Sequence, residues 1–219
     1  MRKPVVDYRK LRLSNVTSPA YRHVLLLGGW IAYFALYFLT ENLIPYENCH
    51  VVHCALDDKI PFCELFVVPY LLWFFLVAGS LLYFFLYDIP SFRRLSIYIM
   101  ITQAGAILVY IIWPSIQLLR PEAMPRDNLF TWVLAFVYRF DTPTGVLPSL
   151  HAGYSIAILS VFLHRKETAL WWQILLPILV VVIIAATFLA KQHSVLDTLA
   201  AIPLCLIGEA LIYWFKLLK

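Results

Sequence analysis

Residues 65–87 read Leu-Phe-Val-Val-Pro-Tyr-Leu-Leu-Trp-Phe-Phe-Leu-Val-Ala-Gly-Ser-Leu-Leu-Tyr-Phe-Phe-Leu-Tyr, without one charged side chain. Wound as an α-helix at 1.5 Å per residue, such a run covers the roughly 30 Å hydrocarbon core of a bilayer. It is too long and too uniformly apolar for one face of a soluble helix, where polar residues would recur every third or fourth position. This stretch decides the class. The bilayer is the solvent.

Further apolar runs lie on either side. Upstream, Val24 to about Thr40, extending toward Ile44, reads as a first span. Downstream come Leu95–Leu119, Leu150–Leu163, Ala169–Ala190 and Ser194 to about Phe215. The fourth of the six, Leu150–Leu163, is short. The stretch Leu129–Val137 is too short to cross and reads as an interfacial or re-entrant helix. The expected fold is therefore an all-α polytopic membrane protein of six transmembrane helices, one domain over residues 1–219.

The whole composition agrees. Of 219 residues 62% are hydrophobic and 14% charged, against roughly 45–50% and 25% in soluble domains. The net charge of +4 is spread over short polar gaps, not gathered along one face as nucleic-acid binding requires. No nucleic-acid partner is expected. With the N-terminus in the cytoplasm, six spans return the C-terminus to the same side. That side then holds Arg2, Lys3, Arg9, Lys10, Arg12, Arg22, Arg93, Arg94, Arg165, Lys166, Lys216 and Lys219, and the opposite side only Lys59, Arg120, Arg126, Arg139 and Lys191. Twelve against five follows the positive-inside rule. Residues 1–23 form a basic cytoplasmic segment, and the first span is a signal anchor, because no small-residue cleavage site follows it. Asn15-Val16-Thr17 matches the glycosylation pattern but falls on the cytoplasmic side.

Ionisable groups at membrane depth are costly and mark function by default. On the non-cytoplasmic side three groups lie at one depth: Arg120-Pro121, Pro148-Ser149-Leu150-His151, and Lys191-Gln192-His193 with Asp197. His193 and Asp197 share a helix face one turn apart. A carboxylate on one imidazole nitrogen fixes the tautomer and frees the other as nucleophile; equally, Asp197 could be a helix cap beside a solvated histidine. Ser149 is a favoured N-cap, and a helix N-terminus attracts phosphate, so His151 in its first turn could protonate a leaving oxygen. Taken alone, a plain cap and an interfacial histidine is the favoured reading there. Arg120 offers a fork for phosphate oxygens or a snorkelling interfacial side chain, and Lys191 carries the same ambiguity.

In combination, the order Arg-Pro, Pro-Ser-x-His, His-x-x-x-Asp resembles the three signature motifs of the type 2 phosphatidic acid phosphatase superfamily, within residues 113–203. The resemblance implies an integral-membrane lipid phosphatase cleaving a lipid phosphate or diphosphate through a phosphohistidine. It implies His193 as nucleophile, Asp197 as its orienting partner and His151 as general acid, with Arg120, Ser149, Lys191 and Gln192 around the phosphate. It implies no metal and no cofactor, a membrane lipid as substrate, and an active site on the non-cytoplasmic side. Two positions depart from the family pattern: Trp113 stands where the first motif has lysine, and Ala186-Thr187 where the third has Ser-Arg. Lys191 could supply the missing charge. Pro-Ser-Leu-His-Ala-Gly with Lys-Gln-His-x-x-x-Asp, preceded by Asp141-Thr142-Pro143, is closer to the inositol phosphorylceramide synthase-like branch. The alternative it implies is a lipid headgroup phosphotransferase of that kind or of the sphingomyelin synthase kind. A non-catalytic transporter or scaffold is a third reading, disfavoured because the ionisable groups form one surface-level cluster and no chain across the bilayer.

Cys49, His50, His53, Cys54 and Cys63 have ligand chemistry without a standard zinc spacing, and a disulfide among the three cysteines is as compatible with the pattern. Glu209, inside the last span, reads as a partner to another buried polar group.

Overall fold

The computed structural model describes residues 3–216 and 218, without the side chains of Glu41 and Asn42. Arg2 and Lys219 of the charge pattern lie outside the described residues. Among these residues there are seven α-helices: α1 (Leu27–Leu43), α2 (Val67–Tyr87), α3 (Ile89–Ile112), α4 (Leu129–Phe140), α5 (Leu150–Leu163), α6 (Leu170–Leu189) and α7 (Val195–Glu209), the last continued by a π-helical turn, Ala210–Trp214. Five of them, α1, α2, α3, α6 and α7 with their flanking turns, are long and apolar enough to cross a membrane. The chain is an integral membrane protein.

Each helix starts and stops for a local reason. Asp88 caps α3, accepting from the Ser91 backbone N–H, with Pro90 in the first turn, where a missing N–H costs nothing. The helix ends at Ile112 because Trp113 precedes Pro114 and leaves the helical region, at φ −138° and ψ 74°. The expected third span, Leu95–Leu119, is thereby corrected at both ends. Pro114 stops it, and Ser115–Ile116 leave the helix to pair in parallel with His50–Val51 as a two-residue ladder (β2 with β1). Arg120 consequently sits in a loop. The interfacial segment is longer than expected: α4 runs to Phe140, capped by Asn128, which accepts from the N–H groups of Phe130 and Thr131.

Helix direction alternates, and the loops sort to two ends. At one end the Val5 N–H donates to Leu86 O, Arg165 pairs with Asp88 at 2.7 Å, and His164 lies 3.4 Å from Glu209. At the other, the Cys63 N–H donates to Leu189 O, the Ser149 N–H to Asp197 O, and the Tyr138 hydroxyl to Ala190 O. Helix α5 is central, packed on α2, α3, α6 and α7, with nine of its fourteen residues buried. Helix α1 is peripheral. Only 6% of its apolar window is buried inside the protein, against 50% for α3.

Glu209 has the partner its depth calls for: the Ser160 hydroxyl donates to it at 2.5 Å, and His164 closes the group. All four cysteines are free thiols. His50 stacks on Trp113 with ring centroids 4.8 Å apart, and His53 pairs with Asp58 at 2.7 Å. Among the described residues no group of three or more potential ligands is placed to hold a metal.

Candidate active site

Helices α5 and α7 begin side by side, with Ser149 and Ser194 as their caps. The Ser149 hydroxyl accepts from the Ala152 N–H, and the Ser194 hydroxyl from the Leu196 N–H. The Ser149 N–H in turn donates to the Asp197 carbonyl at 2.9 Å. One backbone hydrogen bond thus ties the first turn of one helix to that of the other, and both positive helix ends face the same region.

His193, just before α7, is held from three directions. Its N–H, with that of Gln192, donates to Thr187 O, which fixes the turn. Its Nδ1 lies 2.9 Å from Asp197 Oδ2, an oxygen that also accepts from the Ser194 N–H at 2.9 Å. Its Nε2 lies 3.1 Å from Nδ1 of His151. An ionised carboxylate only accepts, which orders the protons along the chain. His193 Nδ1–H donates to Asp197, His193 Nε2 keeps its lone pair and accepts from His151 Nδ1–H, and His151 Nε2 is left as a bare acceptor. That atom is buried with no partner among the described residues, and so is Asp197 Oδ1. The His151 carbonyl accepts from Trp73 Nε1 at 3.1 Å and from the Ser155 hydroxyl at 2.7 Å, and the Trp73 and Tyr70 rings pack on the imidazole at 4.2 and 4.8 Å.

The loop between α1 and α2 braces this turn through Asp57, which the sequence did not single out. One carboxylate oxygen accepts from the Ser194 hydroxyl at 2.6 Å and the Cys54 N–H at 2.8 Å, the other from the Val195 N–H at 2.9 Å. Burial raises the carboxyl pKa, but these hydrogen bonds outweigh it and hold the group below the usual carboxylate value. Lys191, in a left-handed conformation at φ 53°, turns toward the same loop, where Nζ donates to Asp57 O at 2.9 Å and Ile60 O at 2.6 Å.

A second cluster adjoins the histidines. The Tyr70 hydroxyl donates to Asp141 Oδ2, and Gln192 Nε2 donates to the same oxygen at 3.1 Å. Arg120 stands behind Asp141. Its two Nη groups donate to Tyr138 O at 3.1 Å and Asp141 O at 2.5 Å, its plane covers the Tyr138 ring at 4.5 Å, and its Nε is buried without a partner among the described residues. Burial lowers the guanidinium pKa, with Asp141 the first influence opposing the shift.

The histidines open on a cavity of about 960 Å³ between α1, α2, α4 and the start of α5. Most of its wall is aromatic and aliphatic, from Trp30, Phe34 and Phe38 of α1 through Phe74 and Val77 of α2 to Phe136 of α4. Its polar end is His151, His193, Gln192, Asp141, Thr142 and Thr144; among the described residues that line it there is no lysine or arginine.

Of the sequence-derived site residues, His151, His193 and Asp197 form one hydrogen-bonded chain, and Gln192 lies beside it in the cavity wall. Ser149 lies beneath as the cap of α5. Arg120 and Lys191 are near in the fold but spend their donors on backbone carbonyls. Sequence reasoning misses Tyr70, Asp57 and the part played by Asp141, because a residue's service to a distant loop leaves no periodic signal. Comparison with protein-family models, with curated proteins and with solved structures finds no match for this chain.

Proposed function

We propose that this integral membrane protein is a lipid phosphatase of the type 2 phosphatidic acid phosphatase kind, cleaving a lipid phosphate or diphosphate through a phosphohistidine on His193. The observation that carries the reading is the chain Asp197–His193–His151 at the polar end of an apolar cavity large enough for a lipid chain. Asp197 holds the His193 tautomer with the lone pair on Nε2, the state a nucleophilic imidazole needs. For attack, phosphorus comes between His193 Nε2 and the His151 ring, replacing the 3.1 Å hydrogen bond between them. The P–O bond to the lipid alcohol breaks as the P–N bond forms, and His151 gives the departing oxygen its proton. In the second half His151 takes a proton from water, whose oxygen attacks phosphorus and releases phosphate from Nε2. The N-termini of α5 and α7 supply positive potential at the phosphoryl group, Arg120 adds charge from behind Asp141, and Ser149 and Lys191 hold the two turns in place.

In the membrane we read six crossings, the five long apolar helices and the shorter α5. At fourteen residues it is about 21 Å long, but its neighbours cover it, so it meets protein where the others meet lipid. The ten described basic residues of the far end (twelve in the sequence, less Arg2 and Lys219) support a cytoplasmic position for that end by the positive-inside rule. The histidines then face the other side, near the headgroup plane, and the apolar outer face of α4, with Leu129 and Trp132 exposed, lies in the interface.

The test is trapping. Purified protein given phosphatidic acid labelled on phosphorus should acquire an acid-labile, base-stable phosphoryl group that is lost in His193→Ala. Label that persists in His193→Ala, or that never appears while phosphate is released, rules the mechanism out.

A further inference from the structure

The mechanism asks each histidine to carry a positive charge once. His193 gains it as the P–N bond forms, with Asp197 Oδ2 on its Nδ1 at 2.9 Å. His151 needs it earlier. A neutral imidazole that gave up its single N–H would become an anion, so the acid that protonates a departing alkoxide is the imidazolium, with hydrogens on both nitrogens. Nε2, bare in the resting chain, takes the second proton from solvent as substrate enters. An imidazolium buried beside a second imidazole is costly without an anion, and Asp197 is already engaged by His193.

Among the described residues that line the cavity, Asp141 is the one carboxylate. It follows α4 and is fixed from three sides. Its N–H donates to Val137 O at 2.9 Å, its carbonyl accepts from Arg120, and its Oδ2 accepts from the Tyr70 hydroxyl and from Gln192 Nε2. Tyr70 is fully buried, and its ring packs on the His151 imidazole with centroids 4.8 Å apart. One phenol therefore spans the gap from carboxylate to imidazole, and the carboxylate's charge acts on that imidazole.

We infer that Asp141 is the charge partner of His151, its carboxylate held by Tyr70 where it stabilises the imidazolium that protonates the departing lipid alcohol. The inference rests on the phosphohistidine reading above. Each histidine then has its own carboxylate, Asp197 for the nucleophile and Asp141 for the acid. As the P–N bond to His193 forms and the P–O bond breaks, the proton moves from His151 to the alcohol oxygen. The imidazole is left neutral until it takes a proton from the attacking water. A carboxylate alone would repel a phosphate ester, but paired with an imidazolium it adds no net charge. The other charged groups about His151 are His193 and Asp197 at the start of α7 and Arg120 behind Asp141, which partly offsets the carboxylate. The phenols in the cavity wall, Tyr33, Tyr37, Tyr110 and Tyr154, carry no charge at neutral pH.

The experiment varies the leaving group. Full-length protein receives phosphatidic acid, whose alcohol must be protonated as it leaves, or para-nitrophenyl phosphate, whose phenolate leaves without a proton. For each ester kcat/KM covers the steps up to that departure, and the ratio of the two does not depend on how much protein is folded. A general acid contributes ~10²–10⁴-fold, and weakening it should show on the lipid ester alone. In Asp141→Asn, which keeps the shape and removes the charge, the ratio of phosphatidic acid to para-nitrophenyl phosphate should fall about tenfold. Tyr70→Phe, which keeps the ring on His151 and releases the carboxylate, should lower it about threefold. A merely structural part for Asp141 slows both esters alike. An unchanged ratio in Asp141→Asn therefore overturns the inference and leaves the phosphatase standing. If the wild type forms no phosphohistidine, the mechanism fails and the pairing with it.

Discussion

The two sides of the cavity are built on opposite principles. On the side of α5 and α7, polar groups tie the elements to one another. The helix starts are cross-linked by the Ser149–Asp197 backbone bond, and a buried acid from a distant loop clamps the turn that carries His193. On the side of α1, aromatic residues face the cavity and lipid-facing ones such as Ile31, 75% exposed, make up much of the rest. Chemistry needs side chains fixed to a fraction of an ångström, whereas an apolar chain needs a surface that can adapt. A sharp gradient in the cost of mutation should follow.

The steepest effect belongs to the dyad. His193→Ala should abolish turnover, lowering kcat by ~10³-fold or more, the scale of a lost nucleophile. Asp197→Asn should lower kcat by about 10²–10⁴-fold with little change in KM, because Oδ2 fixes both the imidazole and the Ser194 N–H. Release of labelled phosphate in micelles measures both. A variant at either position within tenfold of wild type would make this wall a scaffold like any other.

Asp57 comes next, acting through the turn it holds. Asparagine has one oxygen where the carboxylate has two, so at least one of the Ser194, Val195 and Cys54 donors loses its partner, at about 1–3 kcal/mol. The Asp57→Asn protein should melt at lower temperature and lose about tenfold in kcat. The pH sign follows from the shift. The folded pKa lies below the unfolded value of ~3.9, so the stabilisation is complete above about pH 5 and is lost as pH falls through the folded pKa. Wild type should therefore lose melting temperature on acidification over that range, and Asp57→Asn should lose less. Equal acid slopes would show that the carboxylate does not hold the turn.

The same gradient governs what the sequence reveals. The bilayer-length runs, the ends of α5 and the His193–Asp197 pair depend on contacts within a turn or two, and periodicity and capping report those. Arg120 and Lys191 lie at the expected end of the bundle, but a long cation pairs with whatever carbonyl lies within reach, and the loops at Tyr138 and Ile60 have no pattern that reveals them. Helix α3 stops seven residues short of its expected end, because Ser115–Leu119 looks apolar enough to continue while the proline that stops the helix comes earlier. Asp57's bracing role is invisible in sequence: the turn it holds, at Ser194 and Val195, is more than 130 positions away.

Two glycines give the finest comparison of the packing on either side. A Cβ on Gly208 of α7 would run into Cε2 of the Tyr98 ring. That ring is buried and its hydroxyl donates to Cys205 O at 2.6 Å, so it cannot turn aside. Gly208→Ala should separate α3 from α7 and cost about 1–3 kcal/mol, read as a fall in melting temperature. On Gly29 of α1 the new atom would run into Met100 Cε, and the approach is nominally closer. There the obstacle is the free end of an unbranched side chain with other rotamers open to it. Gly29→Ala should stay within about 0.5 kcal/mol of wild type. Distance alone ranks Gly29 as the worse clash, so the order of the two melting temperatures separates packing that can yield from packing that cannot, and a reversed order would mean that α1 is held as tightly as the helices that carry the histidines.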